Sequence, residues 1–186
     1  VREPYSSLTS FVGEPLINLP IMLLILSGGL GFYTWDDIFT HRFRFSRYHM
    51  QSKIILVMTA VLVVLPAAYF FFAEFSAWQP AQRIFASLFQ AITPRTAGFN
   101  TASFSAMKDG SIAVLIVLML IGGAPGSTAG GLKTTTAAVL VSSAVSVFRR
   151  NKETHFFGRR IPEDTIAKAS ALLLLYLALF LTGGVS

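Results

Sequence analysis

Apolar residues in this chain come in long unbroken runs, not in the short alternating or three-four rhythm of a water-soluble fold. Ile54 to Ala73 carries no charge until Glu74. Ile166 to Leu181 contains one, Lys168, near its start, where a lysine can snorkel to the surface. Leu16 to Phe32 is uncharged and closes on Gly28, Gly29 and Gly31. About 20 mostly apolar residues cross a hydrocarbon core as a helix, so these runs predict membrane spans. The run from Ser111 to Phe148 is different. Lys133 is its one charge, and a straight helix of that length would reach about 57 Å, nearly twice the hydrocarbon thickness. It must break, and the break is expected at Gly122-Gly123-Ala124-Pro125-Gly126-Ser127-Thr128-Ala129-Gly130-Gly131, where glycines and a proline oppose helix continuation.

Pro80 to Ile92 is too short to span. Ile84, Phe85, Leu88, Phe89 and Ile92 share one face, Pro80 suits a first turn, and Pro94 stops the helix. A helix of this length, about 20 Å, reaches partway into a bilayer. The alternative is an amphipathic helix lying on the membrane surface.

Composition narrows the class. The chain of 186 residues is 53% hydrophobic and 13% charged, against about 25% charged in an ordinary globular domain. Its mean hydropathy is +0.62. Zero cysteines exclude disulfides, thiol nucleophiles and cysteine metal sites. His41, His49 and His155 lie in charged stretches, which argues against a buried metal centre. The net charge of +6 matters less than where the cations sit. Arg42, Arg44, Arg47 and Lys53 fill one connection, and Arg149, Arg150, Lys152, Arg159 and Arg160 another. The positive-inside rule puts both in the cytoplasm. The segments Val1–Glu14 and Glu74–Asp109 are then external. A nucleic-acid reading of the basic loops fails, because they flank apolar spans and have no groove-sized partner element.

The candidate chemistry follows from the short helix. Penetrating from outside, it leaves its carbonyl end, the negative pole of the helix dipole, at mid-membrane, which favours a cation. The chain then returns through Thr93-Pro94-Arg95-Thr96-Ala97-Gly98-Phe99-Asn100-Thr101. Non-helical backbone at that depth must be buried in protein or line a watery path, and its carbonyls can replace an ion's hydration shell. Gly98 suits the backbone angles required. Arg95 is expected to point away from such an axis and brace the loop through carbonyl hydrogen bonds; the alternative is an outward surface charge. Glu74 and Asp109 are candidates for gathering cations outside, or are simply solvated. Lys133 helps hold the glycine loop or repels cations from a closed path, or else sits in a watery vestibule with no such role. Thr134, Thr135 and Thr136 are candidates for hydroxyl contacts across helices.

Two rivals remain for the glycine run. A phosphate-binding loop needs glycine, four residues, glycine, lysine and then Ser or Thr; here Leu132 intrudes before Lys133. Ile112–Ile121 would then be a strand and the protein a P-loop-like nucleotide hydrolase. Alternatively the glycines only allow close helix packing in a non-transporting membrane scaffold.

The segment from Thr93 to Thr101, followed by Gly122 to Gly131 and Leu132-Lys133-Thr134-Thr135-Thr136, resembles the third pore repeat of the Trk/Ktr/HKT superfamily of potassium-uptake proteins. Gly28-Gly29-Leu30-Gly31-Phe32 resembles the end of that family's second repeat. Phe157-Gly158-Arg159-Arg160-Ile161-Pro162 resembles the KtrB-type membrane subunit more than the TrkH type. The resemblance covers essentially the whole chain. It implies an all-α polytopic membrane protein, with a helix–pore helix–helix repeat of a potassium-channel-like pore and a broken transmembrane helix. Carried over residue by residue, Thr96, Ala97, Gly98 and Phe99 would form the selectivity filter and bind potassium through backbone carbonyls. Gly122, Gly123, Ala124, Pro125, Gly126, Ser127, Thr128, Ala129, Gly130 and Gly131, with Lys133, would form the gating loop. No catalytic residue and no covalent cofactor are implied; potassium is the substrate, with sodium as a second candidate.

The expected organisation is the end of a preceding repeat (1–40), a basic cytoplasmic loop (41–52), one complete repeat (53–148), a second basic loop (149–162) and the first helix of the next repeat (163–186). A filter ring needs four such loops. Together with Val1 in place of a Met and an end just after a span, this points to a stretch of a longer protein; a homotetramer is the alternative. The family further implies a bacterial plasma membrane, lipid contacts, a homodimer of the full-length subunit and a cytoplasmic nucleotide-binding regulatory ring, with no nucleic acid.

Overall fold

A computed structural model describes residues 7–42, 44–150, 153–157 and 159–183, with Ser105 described in its main chain only. Val1, Lys152 and Gly158 lie outside the described residues. Helix α1 spans Pro15–Leu30 and starts on a proline, whose missing N–H costs nothing in a first turn. At Gly31 the chain turns by 98° into α2, Phe32–His41. The sequence pattern predicts the first span but not this second helix, because its mixed Trp35-Asp36-Asp37 stretch does not continue the apolar run.

Helix α3, Met50–Tyr69, continues through a π-helical turn, Phe70–Glu74. Together they make a predominantly apolar helix of 25 residues, enough to cross a membrane. Helix α4 is Pro80–Ile92, bounded by the two prolines as expected. An irregular stretch leads to α5, Asp109–Leu120, and after a break to α6, Thr134–Phe148. A two-residue hairpin, β1 (His155–Phe156) with β2 (Arg159–Arg160), precedes the long apolar helix α7, Glu163–Gly183.

Burial along α4 decides between the two sequence readings. A surface helix would show one exposed face from end to end. Instead, residues 80–82 are exposed and Ile84 is 48% exposed, whereas Ala86, Phe89, Gln90 and Ala91 are all at 0%. The carbonyl half is wrapped on every side, so α4 plunges into the protein. Phe89 and Ile92 pack with Met22 of α1, while Ala86 and Ala91 join Phe70, Phe75, Leu115 and Leu118 of the neighbouring segments. Alanines on that second face let α3 approach closely. The broad apolar exterior of α7, including Leu174, Leu179 and Leu181, is ordinary for a chain whose solvent is lipid.

Candidate ion-conduction site

Past Ile92 the helix gives way to turns over Thr93–Ala97, then to irregular backbone through Asn100. Thr96 has φ +67° and Gly98 φ +75°, both left-handed. Glycine tolerates this, but a β-branched threonine does not adopt it without constraint. In an extended strand successive carbonyls point to opposite sides; reversing the hand at alternate residues turns them toward one side. Among the described residues, apart from its chain neighbours, no atom lies within 4 Å of a Cβ placed on Gly98, so the angle, not space, demands glycine there. Thr93, Pro94, Thr96, Ala97, Gly98, Phe99, Phe104 and Met119 line a hollow of about 400 Å³.

The segment is anchored at both ends. The main-chain carbonyl of Thr93 accepts from Ala97 N–H at 3.2 Å, and the Thr93 hydroxyl donates to the Phe99 carbonyl at 2.5 Å. Outside, Leu8 N–H donates to the Asn100 carbonyl at 2.9 Å, and Asn100 N–H donates to the Ser7 hydroxyl at 3.1 Å. Arg95 is only 5% exposed and is not among the residues that line the hollow. Its described partner is not a filter carbonyl: the guanidinium donates to the Thr59 hydroxyl of α3 at 3.3 Å.

The glycine run forms a closed loop between α5 and α6. Gly122 N–H donates to the Leu132 carbonyl at 2.9 Å and Leu132 N–H to the Leu120 carbonyl at 3.1 Å, so the two legs meet in a neck. A methyl on Gly122 would stand 1.6 Å from the Gly130 carbonyl oxygen, an impossible contact. The loop also docks on the bend between α1 and α2. Ala124 N–H donates to the Gly29 carbonyl at 2.9 Å, Thr128 N–H to the Gly28 carbonyl at 3.3 Å, and Phe32 N–H to the Gly126 carbonyl at 3.3 Å. Bending the helix there frees carbonyls that a straight helix would use internally. The Lys133 ammonium donates to the Ala129 carbonyl at 2.7 Å and the Tyr176 hydroxyl of α7 to the Gly131 carbonyl at 3.3 Å. A Cβ on Gly130 would lie 3.9 Å from Thr96 Cγ2, so the loop abuts the start of the unwound segment.

Other expected residues fall as follows. Glu74 is not a free carboxylate: it accepts from the Ser111 hydroxyl at 2.5 Å and from Lys108 N–H at 3.3 Å, capping α5. Asp109 is exposed in the first turn of α5. Thr134 N–H donates to the Gly123 carbonyl at 3.1 Å, and its buried hydroxyl has no partner among the described residues. Residues preceding the glycine run form helix α5, not a strand, which removes the phosphate-loop alternative. No group of three His, Asp or Glu suited to a metal occurs among the described residues.

Sequence reasoning missed the docking bend at Gly31 and the bracing role of Thr93. It also missed a buried carboxylate. Asp37 of α2 accepts from His49 N–H at 3.0 Å, and its Oδ1 lies 2.6 Å from His49 Nδ1 and 3.6 Å from His41 Nδ1. The i,i+4 spacing of Asp37 and His41 was a signal; the approach of His49 was not.

The model of the TrkH family, described as a cation transport protein, matches residues 3–184. The chain is 37% identical to the Ktr system potassium uptake protein B of Bacillus subtilis, over 94% of this chain and 41% of the relative. It is 31% identical to the protein of that name from Vibrio alginolyticus, over 95% and 40%. It is 33% identical to the potassium/sodium uptake protein NtpJ of Enterococcus hirae, over 86% and 36%. The chain thus spans about two fifths of the length of these relatives. In fold it matches the crystal structure of the potassium transporter TrkH from Vibrio parahaemolyticus, with a TM-score of 0.76 at 20% identity, over 95% of this chain and 40% of that one. With the apolar spans of α3 and α7 and the bent α1–α2 pair, these matches make the chain an all-α, multi-pass segment of the plasma membrane. The chain belongs to the TrkH family of cation transport proteins, which are transporters and not enzymes.

Proposed function

We propose that the chain forms one quarter of a potassium-uptake pore, with Thr96, Ala97, Gly98 and Phe99 as its filter segment and Gly122–Gly131 as its gate. The observation that carries this is the unwound segment itself. It follows a helix buried at its carbonyl end, holds left-handed angles at Thr96 and Gly98, and has the glycine loop against its base. The relatives named above are potassium uptake proteins, one of them potassium/sodium, which supports potassium as the ion and sodium as a second candidate. Carbonyls of this segment, with three equivalent segments from the remainder of the subunit, replace the ion's water. An inside-negative potential drives the ion inward with about 2.3 kcal/mol per charge per 100 mV.

In this reading the two basic connections lie in the cytoplasm. Arg149, Arg150, Arg159 and Arg160 are the docking candidates for a nucleotide-binding regulatory ring, and lipid headgroups compete for the same charges. The full-length subunit works as a homodimer. The loop obstructs the path until it moves. In the full-length protein Gly98→Ser should weaken potassium preference over sodium, measured by competitive uptake into proteoliposomes. Unchanged selectivity would remove the filter assignment.

A further inference from the structure

The filter segment is short, and its shape depends on what holds its ends. We infer that Thr93, which precedes the filter segment Thr96–Phe99, is the positioning residue that sets the orientation of the outermost filter carbonyl and so the ion preference. This rests on the filter reading above. Three observations carry it.

Thr93 is 4% exposed, so its hydroxyl is largely shielded from bulk water and finds its partner within the protein. It donates to the Phe99 carbonyl at 2.5 Å, six residues ahead. This bond crosses the mouth of the segment and closes it into a ring. Second, the main-chain carbonyl of the same residue accepts from Ala97 N–H at 3.2 Å. One residue therefore grips the segment at its middle and at its end. Third, Phe99 is followed directly by Asn100, whose carbonyl and N–H are both held by the external strap of Ser7 and Leu8. The peptide plane between Phe99 and Asn100 is consequently clamped from the inside by Thr93 and from the outside by that strap.

A carbonyl has two lone pairs. One on Phe99 is taken by the Thr93 hydroxyl, which leaves one for a passing cation and restricts the angle from which the ion is met. Without the hydroxyl the plane is held from one side only, by the Asn100 N–H on the Ser7 hydroxyl, and turns more readily about the Cα atoms of Phe99 and Asn100 that flank it. A flexible carbonyl accommodates a smaller ion as readily as a larger one. Loss of the hydroxyl therefore lowers discrimination between potassium and sodium while leaving the conduction path open.

The test uses the full-length subunit with its regulatory partner in proteoliposomes, measuring potassium and sodium uptake separately. Thr93→Val keeps the branched shape and removes the hydroxyl; Thr93→Ser keeps the hydroxyl. The expected result is a loss of potassium preference of roughly two- to tenfold in Thr93→Val, the factor one net hydrogen bond supplies, with preference retained in Thr93→Ser. An unchanged ratio in Thr93→Val, or an equal loss in both variants, overturns the inference. If Thr93→Val does not assemble, Thr93→Ala against Thr93→Ser isolates the same oxygen atom and is judged by the same outcomes. Gly98→Ser is run beside them. If it alters selectivity and Thr93→Val does not, Thr93 is merely structural and the filter stands; if neither alters it, the filter reading itself falls.

Discussion

Replacing Gly31 by alanine should uncouple the glycine loop from the helix bend that supports it. Gly31 sits where α1 turns into α2, at φ +78° and ψ 152°. That region is essentially closed to residues with a Cβ, and holding one there costs about 1–3 kcal/mol. The new methyl would also stand 2.5 Å from the Pro125 carbonyl oxygen, about half an ångström inside the shortest contact real Cβ atoms make. Pro125 is backbone and cannot swing aside as a side-chain tip would. Overpacking of this kind costs a further 1–3 kcal/mol or so. The sum, about 2–6 kcal/mol, exceeds the roughly 1.4 kcal/mol that shifts an equilibrium tenfold. Relief comes most readily by displacing the loop, because three hydrogen bonds of 2.9–3.3 Å hold it to this bend. The expected outcome is potassium flux without the regulatory partner, raised at least tenfold in proteoliposomes of the full-length subunit, together with a lower melting temperature in detergent. Gly29→Ala is the comparison: among the described residues outside its own helix turn its methyl meets no atom within 4 Å, and its helical site favours alanine. If the two variants behave alike in flux and melting, the docking of the loop on Gly31 does not restrain it.

Other expectations follow from the same contacts. Lys133→Met removes the ammonium that holds the Ala129 carbonyl at 2.7 Å and should raise unregulated flux by less than Gly31→Ala, since the neck between Gly122 and Leu132 remains; flux at or below the unmutated level would refute a restraining role. Asp37→Ala removes the buried carboxylate that accepts from the His49 N–H, which water then meets because His49 is exposed, and should lower stability by about 1–2 kcal/mol, read as a melting shift, whereas an unchanged melting point would show the α2–α3 link to be idle. Glu74→Ala strips the cap from α5, at a cost of about 1–2 kcal/mol, and Glu74→Gln should recover part of it; equal losses would mean the carboxylate is not acting as a cap.

Much of this architecture was legible in the residue pattern because lipid is an unforgiving solvent. Every backbone polar group must be satisfied within a segment that crosses it, so spans are written as unbroken apolar runs and interruptions as glycine and proline. The limits of α4 were set by Pro80 and Pro94, and the break between α5 and α6 by the glycine run from Gly122, all of them local chemistry. The irregular stretch around Gly98 was marked by the same rule, since no helix survives Pro94 and a glycine so close together. These features are decided by a few adjacent residues, and adjacency is what a sequence displays.

Tertiary structure alone decided which partners those breaks acquire. Nothing near Arg95 in the chain announces Thr59, and nothing near Glu74 announces Ser111, because the contacts join residues dozens of positions apart. Arg95 was expected to brace carbonyls and met a hydroxyl of α3; Glu74 was a candidate for gathering ions and caps a helix instead. The 98° turn at Gly31 required the loop that fills it, and the loop required the carbonyls the turn exposes, so neither could be read alone. An apolar run states that a segment must avoid water. Where a freed carbonyl or hydroxyl finds its partner depends on the distance between elements after packing, and that distance is set by how helices of different sequence fit together.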